Sequence, residues 1–177
     1  MREERGAVKP RVIIENVVAS ARVNQRIDLG AMEKPRSRLL IFENGNIICV
    51  GTKSEVDAEK AVMKCVGELR KAGLLSSGSL EVEIRNIVAS VSLEDAVVDV
   101  ESLAAIEVAG VEVMHEPEQF PGAICHMDEQ KVVFLAFSTG KLVCTGAKRE
   151  IDVYRAVEKF IRILDENGAL INRLFRS

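Results

Sequence analysis

Apolar and polar positions along this chain alternate in short runs, and two longer stretches switch to a helical spacing. Residues 11–20 are rich in Val and Ile and predict a strand. Two shorter apolar runs, 37–42 and 46–50, flank Asn44-Gly45, a dipeptide that favours the tight turn of a hairpin. Apolar residues then fall at Val56, Ala61, Val62, Cys65, Val66 and Leu69, which puts them on one side of a helix. Ser54 can cap the free N–H groups of its first turn, Asp57 favours the same end, and Gly73 is a stop signal. The plan then recurs. A strand at 81–91 leads to a helix-prone stretch at 99–107, a strand around 122–127 and the polar turn Asp128-Glu129-Gln130-Lys131. A hairpin across Thr139-Gly140 follows, then a long helix over 149–166 with a stripe at Ile151, Tyr154, Val157, Phe160, Ile161 and Leu164.

The recurrence extends to residue identity. Residues 38–75 and 133–170 agree at 14 of 38 positions, among them Phe42/Phe137, Gly45/Gly140, Cys49/Cys144, Gly51/Gly146 and Lys53/Lys148. Upstream, residues 11–23 match 81–93 around Asn16-Val17-Val18-Ala19-Ser20 and Asn86-Ile87-Val88-Ala89-Ser90. The two offsets, 95 and 70, differ by 25, so the first copy lacks that many residues between its matching blocks. A duplication of this kind predicts a pseudo-symmetric molecule, suited to a target that is itself roughly two-fold symmetric. Residues 1–10 read as a flexible arm, 11–77 as a shortened first repeat and 78–177 as a full second repeat. Each repeat is marginal alone at this size, which predicts one continuous sheet shared between them. Local hairpins followed by a long helix predict an α+β fold, an antiparallel sheet with helices on one face.

Side chains alternate across a strand. Ile47 with Cys49, and Leu142 with Cys144, therefore point one way. Asn16, Val18, Leu40, Phe42, Ile48, Asn86, Val88, Leu135, Phe137 and Val143 are left for the face that the helices do not cover. An apolar patch of that size on a protein surface marks an interaction site. On pattern alone, a face covered on both sides or a homodimer interface fits equally well.

Bulk properties narrow the classes. The chain is 47% apolar and 29% charged with a net charge of −3, so no global basic signature points to nucleic acid, although a local basic rim can coexist with acidic helices. The four cysteines show no metal-ligand spacing, and Cys49 and Cys144 read as small buried hydrophobes. There is no secretory signal and no apolar run long enough for a membrane span, which predicts a reducing intracellular compartment. No nucleophile–base pair or Gly-rich phosphate loop stands out, and His115 and His126 are isolated, so the chain does not read as an enzyme.

Three motifs in the second copy are specific: Asn86-Ile87-Val88-Ala89-Ser90, Pro117-Glu118-Gln119-Phe120-Pro121-Gly122, and the run Phe137-Ser138-Thr139-Gly140-Lys141-Leu142-Val143-Cys144-Thr145-Gly146-Ala147-Lys148. With them the chain resembles the TATA-box-binding protein family, its archaeal members in particular. The first copy matches in its opening strand and from about Lys34 onward, so the resemblance spans residues 11–171. It implies a pseudo-two-fold saddle: a curved antiparallel sheet of about nine strands with long helices on the convex face. The implied function is that of a general transcription initiation factor. It would bind and bend A·T-rich promoter DNA through the minor groove, a property established for that family and taken here from the resemblance. The implied partners are double-stranded DNA, a transcription factor B-type protein contacted through the second repeat and, indirectly, RNA polymerase. A homodimer through the concave face is the alternative in the DNA-free state. No cofactor, metal or membrane is implied, and the location is cytoplasmic, on the nucleoid.

Carried over residue by residue, Asn16 and Asn86 donate to base acceptors. Val18, Val88, Leu40, Leu135, Ile48 and Val143 pack on the groove floor, and Thr145 contacts bases. Phe120 and Phe137 wedge into a base step, while Phe42, at the place of Phe137, has no wedge partner. Lys53, Lys141 and Lys148 meet phosphates. Three such lysines predict a salt slope of about −3, at roughly −0.9 per phosphate.

The departures are specific too. The first copy has no equivalent of Phe120. Val50 stands where the second copy has Thr145, and Asn46 where it has Lys141. The Asp128–Lys131 turn is acidic, and His126 replaces a residue the family tends to make basic. These features predict four sheet strands in the first half and five in the second, with one intact kinking end. They also leave open a divergent paralogue with weak or no DNA binding that acts through protein contacts.

Overall fold

A computed structural model describes residues 8–32 and 38–173. The expected arm lies outside the described residues up to residue 7, and so do Lys34 and Pro35. The chain forms β1 (Pro10–Arg22), a single 3-10 turn (Leu29–Ala31), β2 (Leu39–Ile41), β3 (Asn46–Thr52), α1 (Glu55–Lys71), β4 (Glu81–Leu93), β5 (Ala96–Val98), α2 (Val100–Ala104), β6 (Val111–Met114), β7 (Ala123–Met127), β8 (Val132–Ala136), β9 (Lys141–Ala147), α3 (Glu150–Glu166) and β10 (Leu170–Asn172). It is an α+β fold whose strands pair antiparallel.

The chain divides into two compact units. The first-repeat unit holds Ile14–Val88 with Lys148–Glu150, and the second-repeat unit holds Ala89–Ala147 and the chain from Ile151 onward, with the residues before Ile14. Sheet order is β2-β3-β1-β4 in the first and β4-β9-β8-β7-β6 in the second, eight strands in all. The expectation of about nine, four from the first half, is corrected: among the described residues the first repeat supplies three. The stretch that would carry the fourth is shortened, and its described residues hold a 3-10 turn before β2.

The two hairpins show how the duplicated sequence dictates duplicated geometry. The Phe42 N–H donates to the Asn46 carbonyl at 2.9 Å and the Gly45 N–H to the Phe42 carbonyl at 3.0 Å. The same two bonds join Phe137 with Lys141 and Gly140 with Phe137, both at 3.0 Å. Gly45 and Gly140 turn these hairpins at φ +88° and +85°, where a side chain would run into the carbonyl oxygens of Val23 and Ala96.

In the first-repeat unit α1 packs on β3 through Ala58, Val62, Cys65, Val66 and Leu69, and buries Val17, Ala19, Ala21, Ile47 and Cys49 beneath it. The Ser54 hydroxyl caps it, accepting from the Asp57 N–H at 3.0 Å, and Gly73 ends it at φ +75°. In the second-repeat unit Val153, Ala156, Val157, Phe160, Ile163 and Leu164 of α3 are buried, and Phe160 stacks on Phe134 of β8 at 4.3 Å. The buried helix faces are turned from those the apolar spacing predicts: Val56, Ile151 and Tyr154 are exposed, while Ala58 in the first turn of α1 and Val153 in the first turn of α3 are fully buried. The helix-prone stretch at 99–107 shortens to the five residues of α2.

Two short strands, β5 and β10, have no counterpart in the sequence reading, while β6 at the sheet edge makes up the five expected of the second half. β5 and β10 pair with each other, Leu170 opposite Val98 and Asn172 opposite Ala96. The repeat offsets put 26–28 and 75–77 at the equivalent places in the first-repeat unit, where one side chain stands in for the ladder. Gln25 donates from Nε2 to the Leu74 carbonyl at 3.2 Å, and its Oε1 accepts from the N–H and hydroxyl of Ser76 at 3.0 and 2.6 Å. The first-repeat unit also includes a reciprocal cap. Glu55 accepts from the Glu150 N–H at 2.8 Å and Glu150 from the Glu55 N–H at 2.9 Å.

Candidate nucleic-acid interface

With the helices on one side, the other side of each unit's sheet is uncovered. In the first-repeat unit Asn16, Val18, Ser20, Asn46 and Ile48 are half-buried there, while Leu40 is 53% and Phe42 43% exposed. Register places Leu40 beside Ile48 and Ile48 beside Ser20. Val18, Ser20, Phe42, Asn46 and Ile48 line an open groove of about 780 Å³, whose other wall is Glu81, Glu83 and Arg85.

Asn16 sits near the end of this face, and its orientation is decided by the backbone. The Gly51 N–H donates to Asn16 Oδ1 at 2.7 Å. A backbone N–H can only meet the amide oxygen, so the two N–H groups of Nδ2 are left for an external acceptor. Gly51 reaches that position at φ +80°, in the left-handed region that favours glycine, just after β1 and β3 slip register between Val17 and Ala19. Asn86 and Gly146 hold the same two places in the second repeat, with Gly146 at φ +110°. Asn86, Val88 and Lys148 belong to the first-repeat unit; Asn86 and Val88 are half-buried and Lys148 is exposed.

In the second-repeat unit two rows cross the uncovered face. One runs Ile124, Leu135, Val143; the other Glu112, His126, Val133, Thr145. All but Glu112 are half-buried. Beside the first row, Phe120 and Phe137 pack edge to face, with ring centroids 5.6 Å apart at 62°. Gly122 is their floor: a Cβ there would stand 3.0 Å from Phe120 and 3.2 Å from Phe137. His115 holds the same loop through its Nδ1 and the Gly122 carbonyl, at 3.2 Å. Lys141 is exposed at the start of β9.

The charges are less available than their positions suggest. Lys53 donates to the Glu15 carbonyl at 2.8 Å and to its carboxylate at 3.1 Å. Lys148 lies 3.8 Å from Glu83, which also holds Arg85 at 3.1 Å. In the acidic turn Glu129 is engaged by Lys159 of α3 and by Gln130, and these partners hold its carboxyl below the usual range. The cysteines lie on the helix side. Burial pushes the Cys125 and Cys144 thiols up to about 12 and raises Cys49 and Cys65 too, so none offers a thiolate at neutral pH.

Each sequence-predicted residue is half-buried or exposed in its own unit. Glu15, Glu83, Arg85 and Gly122 escaped the sequence reading. Strict alternation from Asn86 and Val88 assigns Glu83 and Arg85 to the opposite side, yet both line the groove, and Arg85 Nε donates to the Ser20 hydroxyl at 2.7 Å. Long side chains at the exposed end of a strand are not bound by the alternation. In the sequence Gly122 stands out only as part of a motif; its role as a floor depends on Phe137, 15 residues away, meeting Phe120 over it.

The family model described as transcription factor TFIID, or TATA-binding protein, matches residues 30–72 and 81–167. The chain belongs to the TATA-box-binding protein family. A TATA-box-binding protein of Pyrodictium occultum is 40% identical, with 92% of this chain and 90% of that protein covered. That of Sulfolobus acidocaldarius is 39% identical over 88% and 87%, and that of Aeropyrum pernix 38% over 94% and 90%. The solved structure of Methanococcus jannaschii TBP superposes with a TM-score of 0.72 at 35% identity, with 88% of this chain and 99% of that one covered. Among the described residues no helix is long and apolar enough to cross a membrane.

Proposed function

We propose that this protein is a TATA-box-binding transcription initiation factor whose uncovered sheet faces bind the minor groove of A·T-rich promoter DNA and bend it. The observation that carries the reading is Asn16, held by Gly51 so that it can only donate outward. The A·T minor groove presents acceptors, adenine N3 and thymine O2, and lacks the guanine amino group. Outward donors flanked by Val18, Ile48 and Leu40 match such a surface, and an amino group projecting from a G·C pair would collide with the apolar residues and go unpaired. Leu135, Val143 and Thr145 offer the same chemistry in the second-repeat unit, with Asn86 and Val88 at the duplicated positions. Phe120 and Phe137 form the wedge, and Lys53, Lys141 and Lys148 contact phosphates. A transcription factor B-type protein, docking on the second repeat, then connects the complex to RNA polymerase.

The test is fluorescence anisotropy with an A·T-rich promoter duplex and a G·C control, with and without the transcription factor B-type protein. Preference for the A·T duplex, strengthened by the partner, is the expected result; equal affinity for both duplexes under every condition overturns the reading. A sharper version replaces Asn16 by Asp. Aspartate keeps the oxygen that Gly51 needs, so the fold is unaffected, but it loses both donors and places a negative charge beside the DNA. Affinity should fall about 5- to 150-fold, a loss of roughly 1–3 kcal/mol for one specific contact. Unchanged affinity in Asn16→Asp would remove Asn16 from the interface.

A further inference from the structure

Two of the lysines assigned to phosphate contact are already engaged by carboxylates, in a way the duplication does not explain. Lys53 meets Glu15 of β1 at 3.1 Å, and Lys148 meets Glu83 of β4 at 3.8 Å. The lysines are equivalent under the repeat, but the glutamates are not. The offset of 70 puts Glu83 on Ile13, and Glu15 on Arg85. The same pairing, a lysine after the last strand of a repeat with a glutamate on its first, was therefore arrived at separately in each half. Both pairs are open to solvent, with side chains 63% and 43% exposed in one and 62% and 51% in the other. Pairs so exposed contribute little to folding stability. Their recurrence asks for a role outside stability.

We infer that Glu15 and Glu83 compete with DNA phosphates for Lys53 and Lys148, an autoinhibitory electrostatic contact that holds DNA affinity down. This rests on the DNA-binding reading above. A lysine that leaves a carboxylate for a phosphate gains little net attraction, and the carboxylate it leaves then faces the phosphate backbone. The salt dependence follows. Neutralising a phosphate releases its counterions, while the vacated carboxylate takes cations up, so the two effects offset each other. Glu83 acts on two cations at once, since Arg85 lies 3.1 Å from it on the same groove wall.

The experiment compares the wild type with Glu15→Gln/Glu83→Gln in anisotropy titrations on the A·T-rich duplex across a salt series. The double variant should bind about tenfold more tightly near 50 mM salt, with a salt slope steeper by roughly 1.8, two phosphates at about 0.9 each. In a Lys53→Gln background, Glu15→Gln should lose most of its gain, because the carboxylate acts through that lysine. A general effect on folding would leave the slope unchanged. Equal affinity and equal slope in wild type and double variant overturn the autoinhibitory contact while the DNA-binding reading stands. If neither protein prefers the A·T duplex, the DNA-binding reading falls and this inference with it. If the wild type fails to bind and the double variant binds, both are supported.

Discussion

Replacing Phe120 and Phe137 together by alanine is expected to abolish the proposed bend in bound DNA, while replacing Phe42 should leave most of it. The reason is the geometry of the pair. Opening a base step costs a few kcal/mol in lost stacking, which a wedge must offset with apolar contact of its own. Phe120 and Phe137 brace each other edge to face at 5.6 Å above Gly122, so the proposed wedge would enter a step as one rigid body. Phe42 occupies the same hairpin position, with the same two backbone bonds, but among the described residues no second ring packs on it, and it is 43% exposed. Fluorescence transfer between dyes at the two duplex ends reads the bend directly. The double alanine variant should show the end-to-end distance of free DNA, with affinity reduced about 10- to 100-fold, or roughly 1.4–2.8 kcal/mol. A full bend in that variant, or loss of the bend in Phe42→Ala alone, would contradict the assignment of the wedge to one end.

The largest effect on stability should come from Phe134→Ala. This ring is completely buried and stacks on Phe160, also completely buried, at 4.3 Å and 5° from parallel. Truncation removes the transfer energy of the ring and leaves a cavity that β8 and α3 cannot close, at a cost of about 3–5 kcal/mol. That is a large part of the roughly 5–15 kcal/mol by which domains are stable. The repeat supplies an internal control. Leu39 and Cys65 stand where the second copy has Phe134 and Phe160, and Leu39 is only half-buried. Leu39→Ala should therefore cost clearly less. Urea unfolding of both variants checks the order, and a loss under about 1 kcal/mol in Phe134→Ala would mean that the second-repeat core repacks around the gap.

How much was legible in the sequence follows from the range of the physics involved. The hairpins, the Ser54 cap, the Gly73 stop and the covered and uncovered sides of β1, β3, β8 and β9 rest on local rules: side-chain alternation, a capping hydroxyl, a glycine at positive φ. They could be read from neighbours a few residues apart. β5 and β10 could not, because each is three residues long and is stabilised only by a partner more than 70 residues away. The substitution of that ladder by Gln25 in the first repeat is equally non-local. The helix faces are turned from the apolar stripes because apolar residues such as Val56, Ile151 and Tyr154 stand at the exposed margin of a face, and spacing alone does not decide which side of a stripe meets the core. At the candidate interface the residue types and sides were readable, as was the resemblance that named them. The ion pairs of Lys53 and Lys148 were not, since Glu15 and Glu83 lie 38 and 65 residues from them and at non-matching repeat positions.

The central claim is that the uncovered faces read the minor groove, and inosine separates that from every major-groove account. An I·C pair carries no amino group in the minor groove and there looks like A·T, while its major groove looks like G·C. Kd should be measured for three duplexes of one length: the A·T-rich promoter, the same site with every A·T replaced by I·C, and the same site with G·C. If the claim is right, the I·C duplex binds within a few-fold of the A·T duplex, and the G·C duplex is weaker by roughly 1–3 kcal/mol for each replaced pair until binding is non-specific. An I·C duplex that binds as poorly as G·C would contradict it.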